Sequence, residues 1–408
     1  MEVIPMKRRD ILKALAFSGA STASSLRNLS FAANPSSPPS PLVVVFLRGG
    51  ADSLHMAAPV DDAQYISARP SDLRILDNGN TPGLRLAKPF AAARDCRIHP
   101  AAAPLIDLFG SGHAQLLHAC GLANATRSHF EAQEILESSL LNKSGAPAAG
   151  NGWLTPYVNG LKAATSSAIQ YMGNTPGQIR SLQGLRAGMS VTGELRNALN
   201  LPGDAMGRSV LEALYAGDTS NSDAAILMGQ QTLSQIGLID AKAPRVDGRV
   251  APYTPPKDVK YNTENYEWQH ATQTVAQLIR MDVGLQVACL DLGGWDTHEY
   301  QSGKMNNLVR QWSSNLRALF DDVSASGQHM SLVVVSEFGR RLKANASGGT
   351  DHGHGGAMWL LDTRARPLLP NTKWPGLESQ QLDQGLDLQQ TQDIKQVLNA
   401  LGQRVLQA

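Results

Sequence analysis

Apolar residues along the chain gather in short runs bounded by glycine, proline or polar turn formers. Leu42–Leu47, Leu285–Leu292, Met330–Val335 and Ala357–Leu361 are rich in β-branched and large apolar residues, and a weaker run covers Gln115–Cys120. Runs of this length without polar alternation predict strands buried on both faces. Between them, apolar positions recur at three- and four-residue spacing over Ala102–Phe109, His129–Leu141, Ser209–Tyr215, Ala224–Ile239, Thr263–Met281 and Met305–Val323, which predicts helices. Such alternation indicates an α/β fold, a mostly parallel central sheet with helices on both faces. Asn142–Gly152 and the proline-rich Ala241–Asp258 show neither period and read as loops; the second separates a helical insertion around residues 200–260 from the return to the sheet.

Ligands of an open parallel sheet sit at the carboxyl ends of its strands, so the residues that follow each run are the candidates for chemistry. After the first come Arg48, Asp52 and Ser53; after the second, Asp296 and His298 follow Gly293-Gly294; after the third comes Glu337. A glycine-rich loop then carries Asp351, His352 and His354 into the last strand. Mixed carboxylate and imidazole donors suit Zn²⁺, Mn²⁺ or Fe, with Mg²⁺ or Ca²⁺ at an oxygen-rich subsite. Plainer roles exist for each: an Asx turn for Asp52, a turn and a surface histidine for Asp296 and His298, and an ion pair with Arg340 or Arg341 for Glu337. Two histidines and a carboxylate among glycines have the least structural purpose. After the weaker strand, Thr126-Arg127-Ser128-His129 enters a helix, where Ser128 and Glu131 have capping-box spacing. The same hydroxyl faces free backbone N–H groups able to hold an anion, so Ser128 or Thr126 is a candidate nucleophile, with Arg127 or Arg48 to clamp the anion.

Composition narrows this picture. The 36 Lys+Arg against 35 Asp+Glu leave no basic footprint for nucleic acid. No segment approaches the ~18 apolar residues of a membrane span, and the three cysteines, Cys96, Cys120 and Cys289, do not support a disulfide scaffold. The first residues form a unit of their own. Lys7-Arg8-Arg9-Asp10 precedes a weakly apolar stretch to Leu26 and a small-residue cleavage site at Ser30-Phe31-Ala32, so residues 1–32 read as a twin-arginine signal peptide. Residues 33–41 are a Pro/Ser-rich linker, and 42–408 are expected to form one domain in the periplasm or outside the cell. The twin-arginine translocase is the expected partner during export.

The segments Phe46-Leu47-Arg48-Gly49-Gly50-Ala51-Asp52-Ser53, Thr126-Arg127-Ser128-His129-Phe130, Gly293-Gly294-Trp295-Asp296-Thr297-His298, Ser336-Glu337-Phe338-Gly339-Arg340 and Gly349-Thr350-Asp351-His352-Gly353-His354-Gly355 together resemble the exported bacterial family catalogued as domain of unknown function 1501. That family is placed with the alkaline phosphatase-like superfamily of phosphatases and sulfatases. The resemblance implies up to two divalent ions, Zn²⁺, Mn²⁺, Mg²⁺ or Ca²⁺. Asp52, Glu337 and Ser128 or Thr126 would form one subsite, and Asp296, His298 and His352 or His354 the other. It further implies hydrolysis of a small anionic ester or of a sulfated or phosphorylated glycan. The alternative is a secreted metal-binding or surface protein that keeps the fold without turnover. Two departures stand out: Glu337-Phe338 replaces the Asp-His of many superfamily members, and no cysteine occupies the sulfatase nucleophile position.

Export through the twin-arginine route makes a direct prediction. Replacing Arg8 and Arg9 by Lys should leave precursor in the cytoplasm, and normal processing of that double variant on an immunoblot would rule the route out.

Overall fold

A computed structural model describes residues 40–139, 151–160, 171–175, 179–185, 189–199, 204–216, 224–247 and 249–406. The expected signal peptide, and the linker as far as residue 39, lie outside the described residues, as does most of the loop expected over 142–152.

Strand β1 (Leu42–Leu47) lies inside an eight-stranded sheet, and none of its residues is more than 5% exposed, so both faces are covered. That is the physical basis of an unbroken apolar run. It pairs in parallel with β5 (Val287–Leu292) on one side and β6 (Ser331–Val335) on the other. Beyond β5, in parallel, come the short strands β3 (Tyr171–Gly173) and β4 (Met189–Ser190). Beyond β6 the direction reverses. β7 (Gly356–Asp362) runs antiparallel to β6 and to β2 (Ala114–Gly121), and β8 (Gln392–Asp393) returns parallel to β2. The α/β class and the mostly parallel sheet are therefore as the sequence indicates, with β7 alone reversed.

That reversal positions the site. Where β1, β5, β6 and β2 end, β7 begins, so the glycine-rich loop before β7 arrives at the edge reached by the segments after the other four. Helix α1 (Ser53–Met56) follows β1, α2 (His129–Glu137) follows β2, and α4 (Gln301–Ala325) follows β5. Helix α3 (Tyr266–Arg280) packs against α4, and α5 (Ile394–Leu406) reaches β1. Among the described residues, no helix is long and apolar enough to cross a membrane.

Most boundaries fall near those expected, and the exceptions have causes. Helix α2 stops at Glu137 rather than Leu141 because Lys395 of α5 donates to the carbonyls of Ile135 and Ser138, at 2.6 Å each, and so closes the helix end. Helix α4 starts at Gln301 instead of Met305, its first side chain being fully buried against Asp52. The loop expected over Ala241–Asp258 contains a small hairpin, Arg245–Val246 with Arg249–Val250. Strands β3, β4 and β8 are too short to carry a readable period.

The sheet meets α4 at Trp359 of β7, whose ring centroid lies 5.1 Å from that of Trp312 and 5.8 Å from that of Phe109. Both tryptophans are almost wholly buried. Trp359→Ala should cost about 3–5 kcal/mol, read as a lower denaturation midpoint at unchanged slope; a loss below about 1 kcal/mol would show that the face repacks.

Candidate metal centre

The turn after β1 needs glycine. Gly49 has φ 122°, and a Cβ there would lie 2.4 Å from the Asp296 backbone nitrogen; Gly50 has φ 65° and packs against the Phe338 ring. This close approach brings the β1 and β5 ends together. Arg340, fully buried, then ties the edge: its guanidinium donates to the carbonyls of Gly49, Gly50, Trp295 and Thr350 and to Asp296 Oδ1 at 2.6 Å. Asp296 is thereby held at the rim, its side chain half exposed.

Three imidazoles converge on that carboxylate. His298 Nε2 and His352 Nε2 lie 3.0 and 3.2 Å from Asp296 Oδ1, and His129 Nε2 lies 3.5 Å from Oδ2. His129, Asp296 and His352 each offer a ligand atom, and these atoms lie within 4.8 Å of one another. Each ring is fixed from behind through Nδ1. His129 meets Glu337 Oε1 at 2.8 Å, His352 donates to the Arg127 carbonyl at 2.9 Å, and His298 faces Asp351 Oδ1 at 3.3 Å. An acceptor at Nδ1 keeps the proton there and leaves the Nε2 lone pair for a cation. His298 Nε2 and His352 Nε2 are 2.9 Å apart, and His129 Nε2 is buried without a hydrogen-bond partner. Lone pairs so close repel unless a proton or metal ion lies between them. His129, Asp296 and His352 therefore offer two nitrogens and one oxygen that fit a shared divalent ion such as Zn²⁺, and His298 Nε2 lies beside them, 3.0 Å from Asp296 Oδ1.

Electrostatics follow from this wiring. Burial alone would raise the Glu337 pKa, but hydrogen bonds from His129, Gln133 and backbone N–H groups outweigh it and bring it down to about 2. The bond to Glu337 raises His129, whereas desolvation lowers His352. Desolvation opposes ionisation of Asp296 too, yet the Arg340 and His352 bonds lower it to about 2.

The structure distributes the candidates unevenly. It brings Asp296, His298 and His352 together, with Glu337 and Asp351 behind two of the rings. His354 stands apart, one ring nitrogen on Asp383 and the other on the Leu122 carbonyl. Asp52 is buried in an ion pair with Arg69 at 2.8 Å and receives Gln301 Nε2 at 2.7 Å. Arg48 is paired with Glu137 and Asp291, and Arg127 with Asp387. Ser128 is exposed at the N-cap of α2, but the capping box is absent: its hydroxyl makes no cap bond, and Glu131 accepts from Thr126 Oγ1 at 2.7 Å instead. Glu337 does not pair with Arg340 or Arg341. His129, Gln133, Arg69 and Gln301 escaped sequence reasoning. His129 had a signal, a histidine at a helix start just after a strand end, but the capping pattern of its neighbours masked it.

The family model described as protein of unknown function DUF1501 matches residues 40–363. The chain belongs to this family. Among solved structures, this family member resembles the C-terminal periplasmic domain of EptC from Escherichia coli in complex with zinc, at 8% identity and TM-score 0.36, over 83% of this chain and 76% of that one. It also resembles the Streptococcus pyogenes phosphoglycerol transferase GacH in complex with sn-glycerol-1-phosphate, at 7% identity and TM-score 0.34, over 100% and 84%. A third is alkaline phosphatase from the Antarctic bacterium TAB5, at 8% identity and TM-score 0.34, over 90% and 99%. No curated protein matches the chain in sequence. Scores this low leave the chemistry to be judged from this chain's own residues.

Glu337 carries a pH prediction. Its folded pKa of about 2 lies below its ordinary 4.5, so its contribution is complete above pH 4.5 and is lost as pH falls from there toward 2, roughly 3 kcal/mol in all. Glu337→Gln should flatten the acid limb of stability measured by urea unfolding; an unchanged limb would show that the buried carboxylate is not its source.

Proposed function

We propose that the mature protein is an exported, metal-dependent hydrolase of phosphate or sulfate esters. The observation that carries this reading is the convergence of the His129, His298 and His352 Nε2 atoms on Asp296, each ring oriented by an acceptor at Nδ1. Those four residues would hold the ion, which when bound supplies Lewis acidity toward an ester oxygen and lowers the pKa of a hydroxyl. The chain's own residues do the rest. Glu337 fixes the His129 ring, Arg340 holds Asp296 at the rim, and Ser128, exposed beside His129 with its hydroxyl uncommitted to capping, would act as the nucleophile. Thr126 fits that role less well because its hydroxyl is spent on Glu131. The substrate is a small anionic ester or a phosphorylated or sulfated glycan.

A second reading, metal binding without turnover, is favoured by one observation. Arg48 and Arg127, the two arginines suited to clamp an anion, are both engaged in ion pairs.

Metal analysis joined to an activity screen over aryl phosphates, phosphodiesters and aryl sulfates separates the two. His129→Ala and His352→Ala should each lose the ion while staying folded, Glu337→Gln should weaken it by about 10–100-fold, and Ser128→Ala should keep the ion but lose turnover. Full metal occupancy in the histidine variants rules out the centre; bound metal without hydrolysis of any ester class establishes the second reading.

A further inference from the structure

The resemblance to the phosphatase superfamily calls for a second ion between Asp52, Glu337 and a hydroxyl, and the residues present do not fit one. The Asp52 carboxylate is wholly inaccessible and already saturated. Its Oδ1 accepts from Arg69 Nη2 at 3.0 Å and from the His55 backbone N–H at 3.2 Å; its Oδ2 accepts from Arg69 Nη1 at 2.8 Å and Gln301 Nε2 at 2.7 Å. A carboxylate offers about four lone-pair positions. Glu337 is also engaged: Oε1 accepts from the Gly49 N–H at 2.9 Å, Gln133 Nε2 at 2.8 Å and His129 Nδ1 at 2.8 Å, and Oε2 lies 3.0 Å from Ser336 Oγ.

Nor can Arg69 step aside. Its remaining donors bond to the carbonyls of Leu342 at 2.9 Å and Arg341 at 3.0 Å, and the residue is 2% exposed. Moving it to admit an ion would strand a charged group and those carbonyls in the interior. We infer that the guanidinium of Arg69 is the permanent cation at Asp52, so the centre holds a single metal ion, at Asp296 and the three histidines. This rests on the reading of that centre given above and deepens it. One half of the phosphatase-like site carries fixed, covalently attached charge that chelators cannot remove; only the other half exchanges with solvent metal.

Ion counting tests this. Wild-type protein saturated with Zn²⁺ or Mn²⁺ and desalted should show one ion per chain by native mass spectrometry and elemental analysis, and Asp52→Asn should bind the same single ion with a lower thermal midpoint. Chelation should loosen amide exchange around His129 and residues 296–298 and leave residues 52–56 unchanged. Two tightly bound ions in the wild type overturn the inference, and so does loss of the ion from folded Asp52→Asn, which would put that carboxylate in the coordination shell. The wild-type count decides even where the variant fails to fold. No ion at all would instead sink the centre itself, an outcome distinct from finding two.

Discussion

A guanidinium withdrawn from water must find acceptors for its N–H groups, and Arg340 finds them on three separate pieces of chain: the turn after β1, the loop after β5 and the loop before β7. Stranding any of these donors would cost far more than the net value of one surface hydrogen bond. The demand for satisfaction therefore fixes the spacing of the three strand ends. Asp296 is the one acceptor of the set that reaches the surface, and it carries the geometry outward to the histidines.

The same logic of satisfaction divides the edge into two electrostatic halves. On one side, Asp52 has spent every lone pair on Arg69 and its neighbours, giving a closed network. On the other, three imidazoles have Nδ1 on acceptors and turn Nε2 toward Asp296, and of these His129 Nε2 is left without a partner. Of the two halves, the second is the one with a ring nitrogen still to be satisfied. The buried ring of Phe338 packs tilted against His352 and His129, with centroids 4.7 and 4.9 Å away, and closes the core side of this half.

Much of this was legible in the chain because burial on both faces writes an unbroken apolar run, and the chemical residues follow such runs directly. The five principal strands and the clustering of Asp296, His298 and His352 rest on that rule. What stayed hidden depends on partners distant in sequence. Asp52 looks like a ligand until Arg69 is known to lie against it, and Arg69 sits in a polar stretch with no period to place it. His354 and His352 are equivalent on paper; Asp383 and the Leu122 carbonyl engage both nitrogens of the first. His129 shares its segment with a hydroxyl and a glutamate at capping distance, so a complete local explanation concealed a long-range role.

The reversed strand β7 has one more consequence. Because β6 and β7 are antiparallel neighbours, the connection from Ser336 to Gly355 leaves and re-enters the sheet at the same edge, and in that one length of chain it brings Glu337, Arg340, Asp351 and His352. A parallel β7 would have needed a crossover to the far end of the sheet and back, scattering those residues over two faces. Here they travel as a cassette with both ends clamped by neighbouring strands. One length of chain thus delivers His352 to the rim together with Glu337, Asp351 and Arg340, which orient His129, His298 and Asp296 as these arrive from the other strand ends.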